Sequence, residues 1–322
     1  MKATLPILPV RLDDDTARLH TVVVHIPSRR DPSILGKALD NALNEEERLF
    51  HAKLERHYKP AFPAELGDPC NINIQRYSDQ HTAFITLLED HGVEILYAEP
   101  VQGCIAQTYT RDMAFVVADI VFVTRPERSD RRREIEGINH LLARCAKVAR
   151  IEVGTIEGGD VIVLPQWVLV GVGEKTDIVA TNALAEELKA RGIDRQVVPL
   201  HLALSSVVHV DCVFNPVSPD VALVYPPALT GETLGWLRRR FDLIEATLDE
   251  TTALRINTVN LDARTVVMTP GSDRLAEQLA RRGLEVLITA YDEVKKGYGA
   301  FRCTTLPLRR EALSQNKRRP FG

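Results

Sequence analysis

The sequence predicts an α/β protein, a five-bladed α/β propeller closed from five ββαβ units, and three observations carry that prediction. Polar residues Asp112, Asp160, Asp211, Asn257 and Cys303 stand at the heads of short apolar stretches, at intervals of 48, 51, 46 and 46 residues. The stretches behind the heads are alike: a strand, a turn and a second strand, then a helical stretch and a third strand. The two ends of the chain each carry part of one further unit. A repeat of about fifty residues that buries its apolar faces against neighbours is the mark of a propeller or array.

The chain opens with a strand lacking a hairpin partner, Thr21-Val22-Val23-Val24-His25, and reaches another at Val93-Glu94-Ile95-Leu96-Tyr97. Between them, residues 30–92 interrupt the repeat with a helical insertion. Leu35, Leu39, Leu43, Phe50 and Leu54 predict a helix from about Ile34 to Tyr58, and a second runs from about Ser78 to His91, ended by Gly92. The run Glu45-Glu46-Glu47-Arg48 is most simply a solvated face, with a lid or dimer surface as the alternative.

Asp112 leads into Ala114-Phe115-Val116-Val117, a turn at Ala118-Asp119 and Ile120-Val121-Phe122-Val123. Asp160 leads into Val161-Ile162-Val163-Leu164 and, past Pro165-Gln166, Trp167-Val168-Leu169-Val170. Asp211 is followed by Val213-Phe214 and Val221-Ala222-Leu223-Val224-Tyr225, and Asn257 leads through Asp262 to Thr265-Val266-Val267-Met268. Helical spacing recurs in Leu184, Ala185 and Leu188 of the stretch Thr181 to Gly192, and in Leu275, Ala276, Leu279 and Ala280 before Gly283. Cys303 begins Thr304-Thr305-Leu306-Pro307-Leu308 with nothing after it to pair with. Pairing that strand with the first one closes the ring and brings the five heads to one axis.

Composition bounds the rest. At 322 residues, 45% hydrophobic and 26% charged, the chain has the make-up of a globular protein, and the repeat favours a single domain over 1–322. A net charge of −4 gives no basic field for nucleic acid, and the tail Lys317-Arg318-Arg319 reads as a solvated end. No signal peptide and no apolar run of membrane length are evident, so a cytoplasmic location without membrane attachment is expected. Five cysteines at irregular spacing, without a CxxC pair, argue against a disulfide framework and a zinc ribbon. Four of them read as inert fillers.

Carboxylates gathered beside a thiol need a cation to hold them together, because bare carboxylates raise each other's pKa. A planar guanidinium offers five N–H donors and matches carboxylates in bidentate fashion. Asp112 and Asp211 are placed to clamp it from two sides. His209 and Asp211 invite a metal reading as well, but the surrounding Cys and Glu lack a standard ligand spacing, so neither metal nor cofactor is expected.

Four segments in order, Thr110-Arg111-Asp112, Glu157-Gly158-Gly159-Asp160, His209-Val210-Asp211-Cys212-Val213-Phe214 and Cys303-Thr304-Thr305-Leu306-Pro307-Leu308-Arg309-Arg310-Glu311, resemble the guanidine-modifying (pentein) superfamily of arginine deiminases, dimethylarginine dimethylaminohydrolases and amidinotransferases. The resemblance runs from about His20 to Glu311 and implies a five-bladed α/β propeller. It implies that Cys303 is the nucleophile, that Asp112 and Asp211 hold guanidinium nitrogens, and that His209 moves protons. Of the two acids in the second motif, Glu157 is expected to touch substrate and Asp160 to orient His209. Arg111, inside the first motif, is counted with the substrate-binding residues. A thiol is a poor nucleophile until ionised, and a bound cation with His209 nearby favours the thiolate.

Where related sequences often carry Gly-x-x-Arg-Thr, this one has Gly171-Val172-Gly173-Glu174-Lys175-Thr176. Lys175 is therefore the candidate for a substrate carboxylate, without the planar fork of arginine. Arg125, Arg131, Arg132 and Arg133 are a second source of anion contacts, although a run of arginines opening a helix usually faces solvent. The expectation is a cofactor-independent hydrolase acting on the guanidinium of arginine or a derivative, through a covalent amidino-thioether on Cys303. An amidinotransferase, passing the amidino group to a second amine, shares every catalytic residue, and a non-catalytic propeller scaffold has no use for Cys303 or His209. The partners expected are a small-molecule guanidine and, as an open alternative, a second copy in a homodimer.

Overall fold

A computed structural model describes residues 6–26, 72–104 and 106–312. Their strands form five three-stranded sheets: β1 (Leu19–Val24), β2 (Glu94–Tyr97), β3 (Ala114–Val117), β4 (Ile120–Val123), β5 (Val148–Arg150), β6 (Val161–Val163), β7 (Trp167–Val172), β8 (Gln196–His201), β9 (Phe214–Pro216), β10 (Val221–Val224), β11 (Asp242–Glu245), β12 (Val259–Asn260), β13 (Thr265–Met268), β14 (Glu285–Ile288) and β15 (Leu306–Arg310). The sheets are β3-β4-β5, β6-β7-β8, β9-β10-β11, β12-β13-β14 and β15-β1-β2. In each, the middle strand runs antiparallel to the head strand and parallel to the third, for example β4 against β3 and β5.

The ring closes as the two chain ends predict. β1 lies antiparallel to β15, with Val22 opposite Pro307 and Val23 opposite Leu306, and parallel to β2, with Val22 opposite Ile95. Head strands and middle strands are buried on both faces, β3 and β4 along their whole length. That is why they read as continuous apolar runs instead of alternating ones. In the first hairpin, Ala118 takes up φ 54° between β3 and β4.

The helices obey the same logic. Ile178–Ala190 starts where the Asp177 side chain accepts from the Ala180 N–H at 2.7 Å, buries Leu184 and Leu188, and is followed by Gly192 at φ +69°. Each fully buried leucine contributes about 1.5–3 kcal/mol, so truncating Leu184 or Leu188 to alanine removes much of what holds this helix to the core. Ile74–Asp90 begins four residues before the expected Ser78, because Asn73 caps it by accepting from the Arg76 N–H at 3.0 Å. The helix expected from about Ile34 to Tyr58, and the 317–319 tail, lie outside the described residues.

The heads do not start the strands themselves. Asp112, Asp160 and Asp211 sit in short 3₁₀ turns, Thr110–Met113, Gly158–Asp160 and Val210–Cys212, just before their strands, and Cys303 sits in the turn over 301–304. The turns are linked head to head. Gly159 N–H donates to Asp112 Oδ1 at 2.9 Å, Val210 N–H to Asp160 Oδ1 at 2.8 Å, and Asn257 Nδ2 to the Asp211 carbonyl at 3.3 Å. Cys303 N–H donates to Asn257 Oδ1 at 3.3 Å, and Arg111 N–H to the Cys303 carbonyl at 3.1 Å. Unit two holds unit one, three holds two, four holds three, five holds four and one holds five. This closed circuit of hydrogen bonds, buried and so strengthened by low dielectric, fixes the heads against each other.

Candidate active site

His209 is the centre of the acid side. Its Nε2 lies 2.9 Å from Glu157 Oε2 and its Nδ1 3.7 Å from Asp112 Oδ1, with all three residues buried. Burial opposes a charge on the ring, but Asp112, the hydrogen bond to Glu157 and the charge of Asp160 outweigh it and hold the His209 pKa well above the ordinary imidazole value. Glu157 moves the other way: against burial, the His209 hydrogen bond and charge lower its pKa. Each of the two thus favours the charged form of the other.

Both acids of the second motif bear on His209. Glu157, not Asp160, contacts the His209 ring, while Asp160 accepts the Val210 N–H and anchors the backbone beside it. Two acids three residues apart, at the start and end of a tight turn, point to different partners. Burial raises Asp160 to about 7, so it is the acid of the two that holds its proton more readily. The glycines between them are required by packing: a Cβ on Gly158 would lie 1.9 Å from the Arg111 carbonyl oxygen, and one on Gly159 2.5 Å from His209 Nδ1.

Asp112 already holds a guanidinium, that of Arg131. Arg131 Nη2 donates to Asp112 Oδ2 at 2.5 Å, and Nη1 reaches Glu134 Oε2 at 2.7 Å and the Ala106 carbonyl at 2.9 Å. Arg131 lies in the helix Ser129–Glu134 and is buried, in contrast to the solvated face expected of the arginine run. Glu134, wholly buried, has its carboxyl pushed up to about 8 by burial, partly offset by Arg131.

The thiol side is less strongly paired. Cys303 Sγ lies 4.0 Å from both Asp211 carboxylate oxygens, and Arg302 Nε lies 3.7 Å from Asp211 Oδ2. Burial raises the Asp211 pKa, with His209 and Arg302 pulling it back in part. Arg111 and Arg302 also converge on Asp15. Arg302 donates to Asp15 Oδ2 at 2.9 Å, while Arg111 Nη1 and Arg310 Nε each lie 3.9 Å from Asp15 Oδ1. Against burial, Arg302, Arg111 and Arg310 draw the Asp15 pKa down to about 2. Asp15 is thus a buried counter-ion for Arg302, Arg111 and Arg310. Nothing in the spacing of residues 13–15 announces it.

Lys175 Nζ lies 3.8 Å from Glu127 Oε2, and its charge helps to lower Glu157. It borders the acid side without entering the His209 cluster. Among the described residues, two groups bring potential metal-ligating atoms within 4.8 Å of one another: Asp112, Glu157 and His209, and Asp211, Cys212 and Cys303. In the first, both ring nitrogens of His209 face carboxylates and Asp112 holds Arg131, so the group reads as an ion-pair network.

Cys212, expected to be an inert filler, lies beside Cys303, with the two sulfurs within 4.8 Å. The contact between the two side chains, then burial, pushes the Cys212 thiol well above its usual value. A cavity of about 110 Å³ is walled by Cys212 together with Val207, Val213, Tyr225, Leu254 and Tyr298. A larger one of about 310 Å³, among Arg125, Arg132, Glu136 and Arg150, includes none of the ring heads. Among the described residues, no helix is long and apolar enough to cross a membrane.

Comparison with known proteins agrees with this geometry. The arginine deiminase family model matches residues 104–242. The uncharacterised protein YkgA of Bacillus subtilis is 33% identical over 241 residues, covering 74% of this chain and 82% of that one. An N(G),N(G)-dimethylarginine dimethylaminohydrolase of Streptomyces coelicolor is 25% identical over 233 residues, covering 72% and 85%. Among solved structures, SxtG, an amidinotransferase from Microseira wollei in the saxitoxin biosynthetic pathway, superposes with a TM-score of 0.73 at 16% identity, over 96% of this chain and 99% of that one. On these matches and the five-sheet ring, the chain belongs to the guanidine-modifying (pentein) superfamily.

Proposed function

We propose that this protein is a cysteine-dependent hydrolase of arginine or an arginine-like guanidine, working as one domain through an amidino-thioether on Cys303. The observation that carries the reading is the meeting of Cys303, Asp211, His209 and Glu157, drawn from three separate units, within one buried hydrogen-bonded ring.

Each group has a step. Asp211 accepts N–H bonds from the guanidinium and holds its central carbon near the Cys303 sulfur. The thiolate attacks that carbon, forming C–S while the C=N electrons move to nitrogen. His209, kept protonated by Glu157, gives its proton to the departing nitrogen as C–N breaks, and ammonia or an alkylamine leaves. The neutral imidazole then takes a proton from water as the water attacks the amidino carbon. C–S breaks, the thiolate is restored and the ureido product departs. Asp112 contributes to holding His209 charged, and its engagement with Arg131 leaves Asp211 as the principal clamp. Asp160 places His209 through the Val210 backbone, and Lys175 meets the far end of the substrate.

The test is incubation with arginine, its N-methylated forms, agmatine and guanidino acids, with and without added amines, scoring ureido product and released amine by mass spectrometry. Ureido product without an acceptor is the expected result. Product that appears only with an amine overturns hydrolysis in favour of amidino transfer.

A further inference from the structure

Two thiols stand together where the proposed chemistry uses one. Cys212 comes directly after Asp211 in the third 3₁₀ turn, and Cys303 lies in the fifth unit, so residues 91 positions apart are joined only by the ring. The sulfurs of Cys212 and Cys303 and an Asp211 carboxylate oxygen lie within 4.8 Å of one another. Asp211 Oδ1 is 3.5 Å from Cys212 Sγ and 4.0 Å from Cys303 Sγ, so one carboxylate bridges both. All four cysteines among the described residues are free thiols, and neither Cys104 nor Cys145 belongs to such a group.

Access and asymmetry are also present. Cys303 is nearly closed off, at 4% exposure, whereas Cys212, at 8%, forms part of the wall of the 110 Å³ cavity. The cavity walls are uncharged and mostly apolar, Leu204, Val207, Val208 and Leu248 among them, with hydroxyl-bearing residues such as Ser206 and Thr251. They bring a small neutral molecule to the Cys212 sulfur, within 4.8 Å of that of Cys303, and give no ionic partner to an anion.

We propose that Cys212 and Cys303 form a modification site, at which a small neutral hydroperoxide converts the pair into a reversible disulfide with Cys212 as the resolving thiol. That this silences turnover rests on the reading of Cys303 as the nucleophile. The Cys303 thiolate attacks the distal peroxide oxygen, S–O forms, O–O breaks and the alkoxide takes a proton to leave as alcohol. Cys212 then loses its proton and attacks the Cys303 sulfur. S–S forms, S–O breaks, and the hydroxide leaves with that proton as water. The two sulfurs are oxidised and the hydroperoxide is reduced, so the balance is complete. Closing the pair to the ~2.05 Å of a disulfide requires rotation of the side chains toward each other. Capture by a neighbouring thiol stops Cys303 from advancing to the irreversible sulfinic and sulfonic acids.

The experiment treats the full-length protein with tert-butyl hydroperoxide, then maps peptides and intact mass before and after dithiothreitol. The expected result is a linked peptide pair containing Cys212 and Cys303, a loss of two hydrogens, and full reversal by the dithiol. In Cys212→Ala the expected result is irreversible oxygen addition at Cys303. Sulfinic acid at Cys303 with Cys212 still reduced in the wild type, linkage through another cysteine, or no reaction at peroxide levels that oxidise Cys303 in Cys212→Ala, each overturns the proposal. Peptide mapping reads the bond without reference to activity. A linked pair whose formation leaves turnover intact therefore keeps the thiol pairing and removes the nucleophile reading.

Discussion

Asp112 and Asp211 occupy equivalent places, each in the 3₁₀ turn that opens a blade, yet they are electrostatically opposite. Asp112 is locked by Arg131 at 2.5 Å and by the Gly159 N–H, a buried acid with strong donors on both oxygens. Asp211 has the looser approach of Arg302 at 3.7 Å and two weak thiol contacts, and burial raises its pKa. The repeat fixes where a head stands but not its charge partner. In unit one, the helix Ser129–Glu134 supplies an internal guanidinium. For Asp211 the arginine beside the carboxylate is Arg302 at 3.7 Å, which is why the proposed mechanism assigns the substrate guanidinium to this acid.

The comparison is broken most directly by exchanging each acid for its amide. Asp211→Asn is expected to lower kcat/KM by on the order of 10³-fold, the cost of removing one partner from a buried charged contact. Its thermal stability at neutral pH should hold or rise. The folded pKa of Asp211 is raised, so its ionisation costs stability as pH climbs from the unfolded value toward the folded one, and the amide removes that cost. Asp112→Asn should do the reverse and destabilise by about 3–5 kcal/mol, because Arg131 is left buried with Glu134 alone. Urea melts of the two variants beside kcat/KM read both effects. Equal stability losses in the two would remove the distinction.

A smaller effect sharpens the acid side. The folded pKa of His209 is raised above its unfolded value, so its charge contributes stability fully below about pH 6.5 and loses it as pH rises through the folded pKa. Glu157, with a lowered folded pKa, contributes above its unfolded value of 4.5 and loses that contribution as pH falls toward the folded one. Melting temperature should therefore fall on the alkaline side in the wild type, and that limb should flatten in His209→Gln. An unchanged alkaline limb in the variant would show that His209 is not held charged.

Much of this architecture is legible in the sequence because the signal is periodic. Asp112, Asp160, Asp211, Asn257 and Cys303 are in phase, and strands buried on both faces leave continuous apolar runs that cannot be missed. Closure by β15 and β1 is implied by a strand without a partner at each end. The residues that depart from expectation share a physical cause, direction. Glu157 meets the His209 ring and Asp160 the Val210 N–H because a tight turn sends acids three residues apart to different neighbours. Arg131 belongs to a run of arginines, and only the phase of a short helix turns this one inward. Arg111 stands next to Asp112 in the chain, which suggests the site, whereas its side chain serves Asp15, a residue before β1 with no repeat to mark it. Cys212 lies inside a motif whose other residues already account for it, and its contact with Cys303 joins distant units.

The central claim is that Cys303 forms a covalent amidino bond to a guanidine, and it is tested by quenching the protein with acid during turnover of whichever guanidine in the panel yields product. Peptide mass spectrometry should find the amidino group on the fragment containing Cys303. The adduct should be absent from Cys303→Ser, whose turnover should fall on the order of 10⁴-fold or more with the fold retained. Turnover by Cys303→Ser at the wild-type rate, or an adduct on any other residue, would contradict the account.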